Sequence, residues 1–515
     1  MDTLDCDGED SIHCETSESR LVSRSVEVEA EDSQAALDAF LGSASETQTV
    51  FFWKERGTES VLAGKGEAVS VSVPSVSVSD PDSDPDPGDE ESGRFGKVRD
   101  SVDAVFSDDA DTDTTPEDAA RPRLFGGFSF HDSHVAEGVW RDFPDARFVL
   151  PRYQLSSDEG SYFVTVNAYG DADADTDADT DTDTDGVDPV SVEAEAEDLR
   201  ESLVAQSDPS EIASEEQTQI RRIQRGTSLP DWRRQVGDAL ERIESGSLEK
   251  VVLSQFLDVE LDSEIDPVNR ALRLSENFPD CYTFVFSPEG DTGFFGAPPE
   301  RLVSVEGREV ETEAIAGSIG RGETAEEDRR LGDKLRNSQK DLHEHAIVAD
   351  SVVEQLSPLS GSDSGSASDS DSDSDSDSVE TDEMELLKLG NVQHLRTPVR
   401  ARLDDASTDV LTVAEALHPT PAVGGLPPDE ALCTIRETER FDRGWYAAPV
   451  GWIDSKGDGC FAVGLRSAVT DGDTAKLFAG AGIVRDSDPD EEWEEVQLKY
   501  EPVLDLFRGE DTDTS

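Results

Sequence analysis

L-E-K-V-V-L-S-Q, residues 248–255, is an apolar run entered by a single lysine, Lys250. Just before it, Trp232, Val236, Leu240 and Ile243 recur at helical spacing. The chain is therefore expected to pass from an amphipathic helix into a buried strand that runs on to Leu261. A lysine placed where a strand enters a core either carries its amine out to solvent along an apolar stem or works inside a pocket.

Outward from this run, the C-terminal half reads as dense structure. Residues 281–286 are strand-like. Thr324 with Glu327 forms a capping box that opens one long helix, with an apolar stripe of Leu331, Leu335, Leu342, Ala346, Val353 and Leu356. Strands are expected at 445–453, 461–467 and 476–478. A last helix starts on Asp488 as N-cap, with Pro489 at N1 and Glu491 at N3, and runs to about Phe507. The N-terminal half offers alternation in S-V-E-V-E-A, a helix over 35–41, an apolar strand at 50–53, and a return of structure at 125–130 and 147–153. Strands grouped with helices, without strict alternation, predict an α/β class fold, an α+β layered sandwich of antiparallel sheets flanked by helices.

The boundaries read as follows: an acidic disordered N-terminus over 1–19, an N-terminal subdomain over 20–220, a denser region over 221–508, and an acidic tail over 509–515. Acid-rich insertions interrupt this plan near 75–119 and 170–190 and over 359–382. Two of them carry the tracts 171–185 (D-A-D/D-T-D) and 361–378 (S-D repeats). Such composition buries too little apolar surface to offset ordering entropy. It serves either as a partner-binding acidic segment or as expanded surface loops.

The chain has 515 residues, room for several domains or one large enzyme fold. Asp plus Glu number 118 against 44 Lys plus Arg, a formal net charge of -74. That excess repels phosphate backbones, so no nucleic-acid partner is expected. It suits a salt-rich cell, because at about 1 M ionic strength the Debye length is only about 3 Å. The five cysteines form no C-x-x-C pair, which predicts neither a disulfide framework nor a zinc site and points to a reducing cytosol. With an acidic N-terminus and no long apolar run, the expectation is a soluble, cytoplasmic protein with no membrane partner.

Two rows of side chains carry chemistry. On the last helix Glu492, Glu495 and Lys499 share a strip beside the core stripe of Trp493, Val496, Tyr500, Val503 and Phe507. The strip is either a solvated face or a holder for an anionic substrate through a divalent cation. In K-D-L-H-E-H, Asp341 and Glu344 fall on one side, while His343 and His345 point apart, unlike a zinc-protease pair. Carboxylates without paired imidazoles or thiols favour Mg2+. G-A-P-P-E-R-L sets Glu300 after two prolines. A-I-A-G-S and F-A-G-A-G-I-V are glycine turns where backbone N–H groups can approach an anion. The latter lacks dinucleotide-fingerprint spacing.

Taken in order, K-V-V-L-S, A-P-P-E-R-L, A-I-A-G-S, K-D-L-H-E-H, Q-H-L-R-T-P, L-H-P-T-P-A-V-G-G, E-R-F-D-R-G-W-Y-A-A-P-V-G-W-I-D, F-A-G-A-G-I-V and E-E-W-E-E-V-Q-L-K resemble the chorismate-using enzymes, and among them most the isochorismate synthases of menaquinone synthesis. Salicylate synthase is a close alternative; a non-catalytic acidic protein keeping this fold is a distant one. The resemblance implies a large layered sandwich with its site between sheets, chorismate as substrate, Mg2+ as cofactor and no obligatory protein partner. It implies that Lys250 activates a water for attack at C2 and that Glu300 protonates the hydroxyl leaving C4. Glu344 and Glu495 would hold Mg2+, with Glu492 and Asp341 acting through water. Arg466, Lys499, Ser318 and the backbone of Gly317, Ala422 and Gly480 match substrate-contacting positions; His394 and Thr397 match pocket-lining ones. A lysine neutral at pH 7 costs roughly 4.6 kcal/mol and a protonated glutamate roughly 3.7 kcal/mol. The site must therefore shift both groups, and an apolar flank such as Phe294, Phe295 and the two prolines before Glu300 is expected to help it.

Overall fold

The computed structural model describes residues 3–5, 19–28, 33–45, 47–75, 93–107, 110–113, 118–158, 160–171, 187–206, 219–288, 292–361 and 379–508. Among these, every strand joins one hydrogen-bonded network. The pairing is antiparallel except where Thr3–Asp5 runs beside Val61–Val73 and Asp111–Asp113 beside Ser19–Val28.

One bent strand explains the layering. Ala146–Asp158 pairs along Val61–Val73 on one side. On its other side it pairs first with Arg123–Phe128 and then with Ser161–Asp171. The bend falls at Pro151, which has no N–H to give, opposite a register shift between Glu67 and Val69 and next to Gly66 at φ 66°.

From this corner two arms diverge. The first continues through Val50–Lys54, Thr283–Ser287, Thr292–Gly296, Ser467–Asp471, Thr474–Ile483 and Lys250–Leu261 to Ile220–Arg225. The second runs from Arg123–Phe128 through Pro449–Asp454, Gly459–Val463, Arg301–Glu306 and Glu309–Gly320 to Val392–Arg402. Their inner faces share an aromatic core. Phe125 stacks on Phe51 at 4.6 Å, and Trp445 meets Phe286 and Phe294.

Helices close the sandwich. Leu229–Ser245 begins on the side-chain cap of Ser228, ends on Gly246 at φ 80°, and buries Trp232, Val236, Ala239 and Ile243. The last helix, Pro489–Leu504, is capped by Asp488 as the sequence predicts and lies on Thr474–Ile483. Gln339–Leu356 lies on Glu309–Gly320 in the other arm.

Several expectations are corrected. The long helix is two, Ala325–Arg336 and Gln339–Leu356, because Ser338 caps a new N-terminus through Asp341 N–H. The break resets the helical phase. The buried face of the second helix carries Glu344, His345, Ile347, Val348, Ser351, Val352 and Leu356, while Ala346 is exposed. The insertion read over 75–119 contains a packed helix, Arg94–Val105, burying Phe95, Val98, Val102 and Val105. Those four residues step by three and four. Averaging them with the Asp- and Pro-rich flanks hides the pattern. Within the N-terminus read as disordered, residues 3–5 pair as a strand. At the end of the third insertion Val379–Thr381 pairs with Val392–Arg402. The tracts 171–185 and 361–378, apart from Asp171 and Gly361, lie outside the described residues, as does 509–515. The boundary drawn at residue 220 is crossed by the sheet, since Val50–Lys54 pairs with Thr283–Ser287 and Arg123–Phe128 with Pro449–Asp454.

Candidate active site

A cleft opens between the two arms. Strand periodicity builds one wall. Lys250, Val252 and Ser254 alternate on the cleft face, while Val251 and Leu253 turn into the core. Opposite them in register stand Gly482 and Gly480. A Cβ on Gly482 would collide with the Glu344 carboxylate and come 2.8 Å from Lys250 Cε, so only glycine leaves room for that pair. On the other arm a bulge between Ala316 and Ser318, with Gly317 at φ 73°, breaks the alternation and turns Ile315 to Ser318 together toward the cleft.

Glu300 sits where the chain crosses from Thr292–Gly296 in the first arm to Arg301–Glu306 in the second. Burial pushes its carboxyl up to about 8. The negative charge of Glu313 adds to this, and Lys250 and Lys499 oppose it. Phe294 and Phe295 are core residues that do not line the cleft; Pro299 does. Glu300 is thus a neutral acid at pH 7, as the sequence requires.

Of the two placements the sequence leaves open for Lys250, the structure shows the enclosed one, in the cleft wall. Its Nζ lies 2.9 Å from Glu344 Oε1, both side chains being almost wholly enclosed. Burial alone would raise the Glu344 carboxyl, but Lys250, Lys340 and Lys499 outweigh it and hold Glu344 below its ordinary value.

The predicted metal ligands converge in part. Glu344 and Glu495 line the cleft; Glu492 and Asp341 lie behind it. Each glutamate carries a lysine: Glu344 has Lys250, Glu495 has Lys499 at 2.7 Å, and Glu492 has Lys340. Burial and the neighbouring Glu495 push Glu492 up to about 7, and burial with Glu344 and Glu495 raises Asp341. These are hard oxygen donors that repel one another, the chemistry Mg2+ relieves. Among the described residues, no three acidic, imidazole or thiol groups are gathered tightly enough to ligate an ion as they stand. As they stand, these carboxylates have the lysines as their counter-ions.

The remaining wall carries the cations Arg466 and Lys499. Arg466 and Ala447 are non-glycine residues at φ 48° and 62°, a strain of about 1–3 kcal/mol each, and both face the cleft. Arg466 donates to His394 Nε2 at 3.1 Å, so His394 turns its Nδ1–H toward Gly317 O and Ser318 Oγ. Burial, with Arg466 and Lys499 nearby, holds the His394 imidazole neutral. Lys499 donates to Gly480 O at 2.9 Å. Ala422 also lines the cleft. Thr397 does not: its hydroxyl meets His345 Nε2 at 2.8 Å behind the wall.

Sequence reading missed Ser254, Tyr446, Arg443 and Lys340. Tyr446 stacks on Phe478 at 5.1 Å. Arg443 is buried, paired with Glu439 and bonded to the carbonyls of Val423 and Val252. The i,i+4 spacing of Glu439 and Arg443 was the available signal. For Lys340 nothing local marked a partner 152 residues away.

A buried protonated carboxyl, an enclosed lysine and a cationic wall on a layered, mostly antiparallel α/β fold define an acid–base enzyme. The chain belongs to the chorismate binding enzyme family, whose model matches residues 9–508. It is 35% identical to the isochorismate synthase MenF of Bacillus subtilis, over 76% of each chain. It is 36% identical to the salicylate biosynthesis isochorismate synthase of Pseudomonas aeruginosa, over 80% of this chain and 79% of that one. Its fold matches that of the menaquinone-specific isochorismate synthase MenF from Escherichia coli with a TM-score of 0.69, covering 95% of both chains at 22% identity.

Proposed function

We propose that this chain is an isochorismate synthase, adding a water-derived hydroxyl at C2 of chorismate and releasing the C4 hydroxyl as water. The observation that carries this reading is that Lys250 and Glu300 open on one cleft from its two arms. Lys250 takes a proton from a water that forms the C2–O bond. The ring double bonds shift, the C4–O bond breaks, and Glu300 gives its proton to the departing hydroxyl, which leaves as water. As the cleft stands, Lys250 is ion-paired with Glu344, and it must give up a proton and leave that pair before its amine can take one from water. Arg466, Lys499, Ser318 and the peptide groups of Gly317, Ala422 and Gly480 suit the carboxylates of the substrate. Glu344 and Glu495 would hold Mg2+, with Glu492 and Asp341 through water; the ion supplies positive charge for a substrate carboxylate. The G-W-Y-A-A-P-V-G-W-I-D segment and the likeness to MenF favour menaquinone synthesis as the product's use.

The test is chromatography of products from chorismate, Mg2+ and purified protein at multimolar KCl. Isochorismate is expected. Salicylate with pyruvate would transfer the chain to the lyase reading, and no turnover would leave only a binding protein. Lys250→Ala is expected to abolish turnover while chorismate still binds; retained turnover removes Lys250 as the base. Glu344→Ala is expected to lose the Mg2+ dependence of chorismate binding, and an unchanged Mg2+ titration strikes it from the ligands.

A further inference from the structure

The backbone on either side of Glu300 is held by one ion pair whose partners lie 257 residues apart. Arg56, in the turn between Val50–Lys54 and Val61–Val73, donates to the carbonyl of Pro299, the residue before Glu300, at 2.5 Å. The same guanidinium grips Glu313 bidentately, at 2.9 and 2.8 Å. Glu313 Oε1 in turn accepts the N–H of Arg301, the residue after Glu300, at 2.9 Å. Arg396 holds the other carboxylate oxygen of Glu313, and Val463 N–H binds the carbonyl of Glu300 itself. The Glu313 side chain is completely buried, so this pair faces little competition from water. A buried charge pair with every lone pair used is costly to leave half-made.

We infer that Arg56, acting through Glu313, is a positioning residue that fixes Glu300 by clamping the peptide carbonyl before it and the peptide amide after it. The inference rests on the acid role proposed for Glu300. It gives a role to the turn after Val50–Lys54, which carries Arg56 to Pro299. The clamp has an electrical side as well. The charged groups facing Glu300 are Lys250 from the first arm, Lys499 from the last helix and Glu313 from the second arm, and only Glu313 favours the protonated form.

The experiment compares wild type, Arg56→Met, Arg56→Lys and Glu313→Gln for kcat, KM and the pH profile of chorismate turnover, with thermal melts to establish folding. A misplacement of about 1 Å is worth about 100-fold. Arg56→Met is expected to lower kcat about 10- to 100-fold with KM within about twofold. Arg56→Lys is expected to recover part of the loss, because an ammonium reaches the carbonyl or the carboxylate but cannot fork between both. Glu313→Gln is expected to move the high-pH fall of kcat to lower pH, whereas Arg56→Met does not. A folded Arg56→Met with wild-type kcat overturns the clamp. If Arg56→Met does not fold, wild-type kcat in Arg56→Lys overturns it and a reduced kcat supports it. Absent turnover in wild type would instead refute the reaction assigned to the site, so the two failures are separate.

Discussion

Glu300 keeps its proton because its surroundings solvate the anion poorly. Burial is the largest influence, and the Glu313 carboxylate adds to it. Lys250 and Lys499 pull the other way, yet the result is still about 8. The consequence for activity has a definite sign. A leaving-group acid works only while protonated, so Glu300 is expected to impose a fall of kcat as pH rises through about 8. A rate still rising at pH 9 would show that Glu300 is not the acid. At this scale the sequence was legible where a residue's chemistry is local: Glu300 after two prolines, Lys250 at a strand entrance, Glu492, Glu495 and Lys499 on one helical strip. It was illegible where the partner is remote. Nothing in K-V-V-L-S reveals that Lys250 is held by Glu344, or that Gly482 must lack a Cβ to admit the pair.

Elements with a complete pattern and a complete cap are where expected. The last helix has both, and so does Leu229–Ser245. The failures arose from averaging. A capping box and two compatible stripes made one helix of 324–356, whereas Ser338 supplies a second cap in the middle. Arg94–Val105 was lost inside acidic flanks, although Phe95 is buried and stacks on Phe128 at 3.9 Å between ring centroids. That helix packs on Val61–Val73 and Ala146–Asp158, the strands at the corner from which both arms diverge. If it belongs to the core, Phe95→Ala should cost about 3–5 kcal/mol in denaturant unfolding. Asp100→Asn, on the exposed side of the same helix, should stay within about 0.5 kcal/mol. Equal, small effects of both substitutions would return the segment to the status of a dispensable insertion.

Over the whole molecule, the acid excess is the dominant electrostatic fact. With 118 acidic and 44 basic residues, no arrangement of pairs neutralises the chain. The basic residues are nonetheless widely enlisted: Arg233 pairs with Asp490, Arg400 with Asp382 and Arg402 with Glu309, all at the surface. Salt acts on these two populations in opposite senses. It weakens each exposed pair, worth about 0–1 kcal/mol, and it screens the repulsion among the unpaired acids, which grows with the square of the net charge. The second effect should win by a wide margin at a charge of -74. The cleft is insulated from both, because Lys250, Glu300 and Glu313 are enclosed. We therefore expect the unfolding midpoint to climb from about 0.1 M to about 3 M KCl, with much of the gain early, where the screening length shortens fastest. KCl is the right probe, since sulfate and sucrose stabilise by exclusion from the surface whatever the charge. A midpoint that stays level or drops across that range would mean that the acids are not straining the fold, and the salt-adaptation reading of the composition would have to be abandoned.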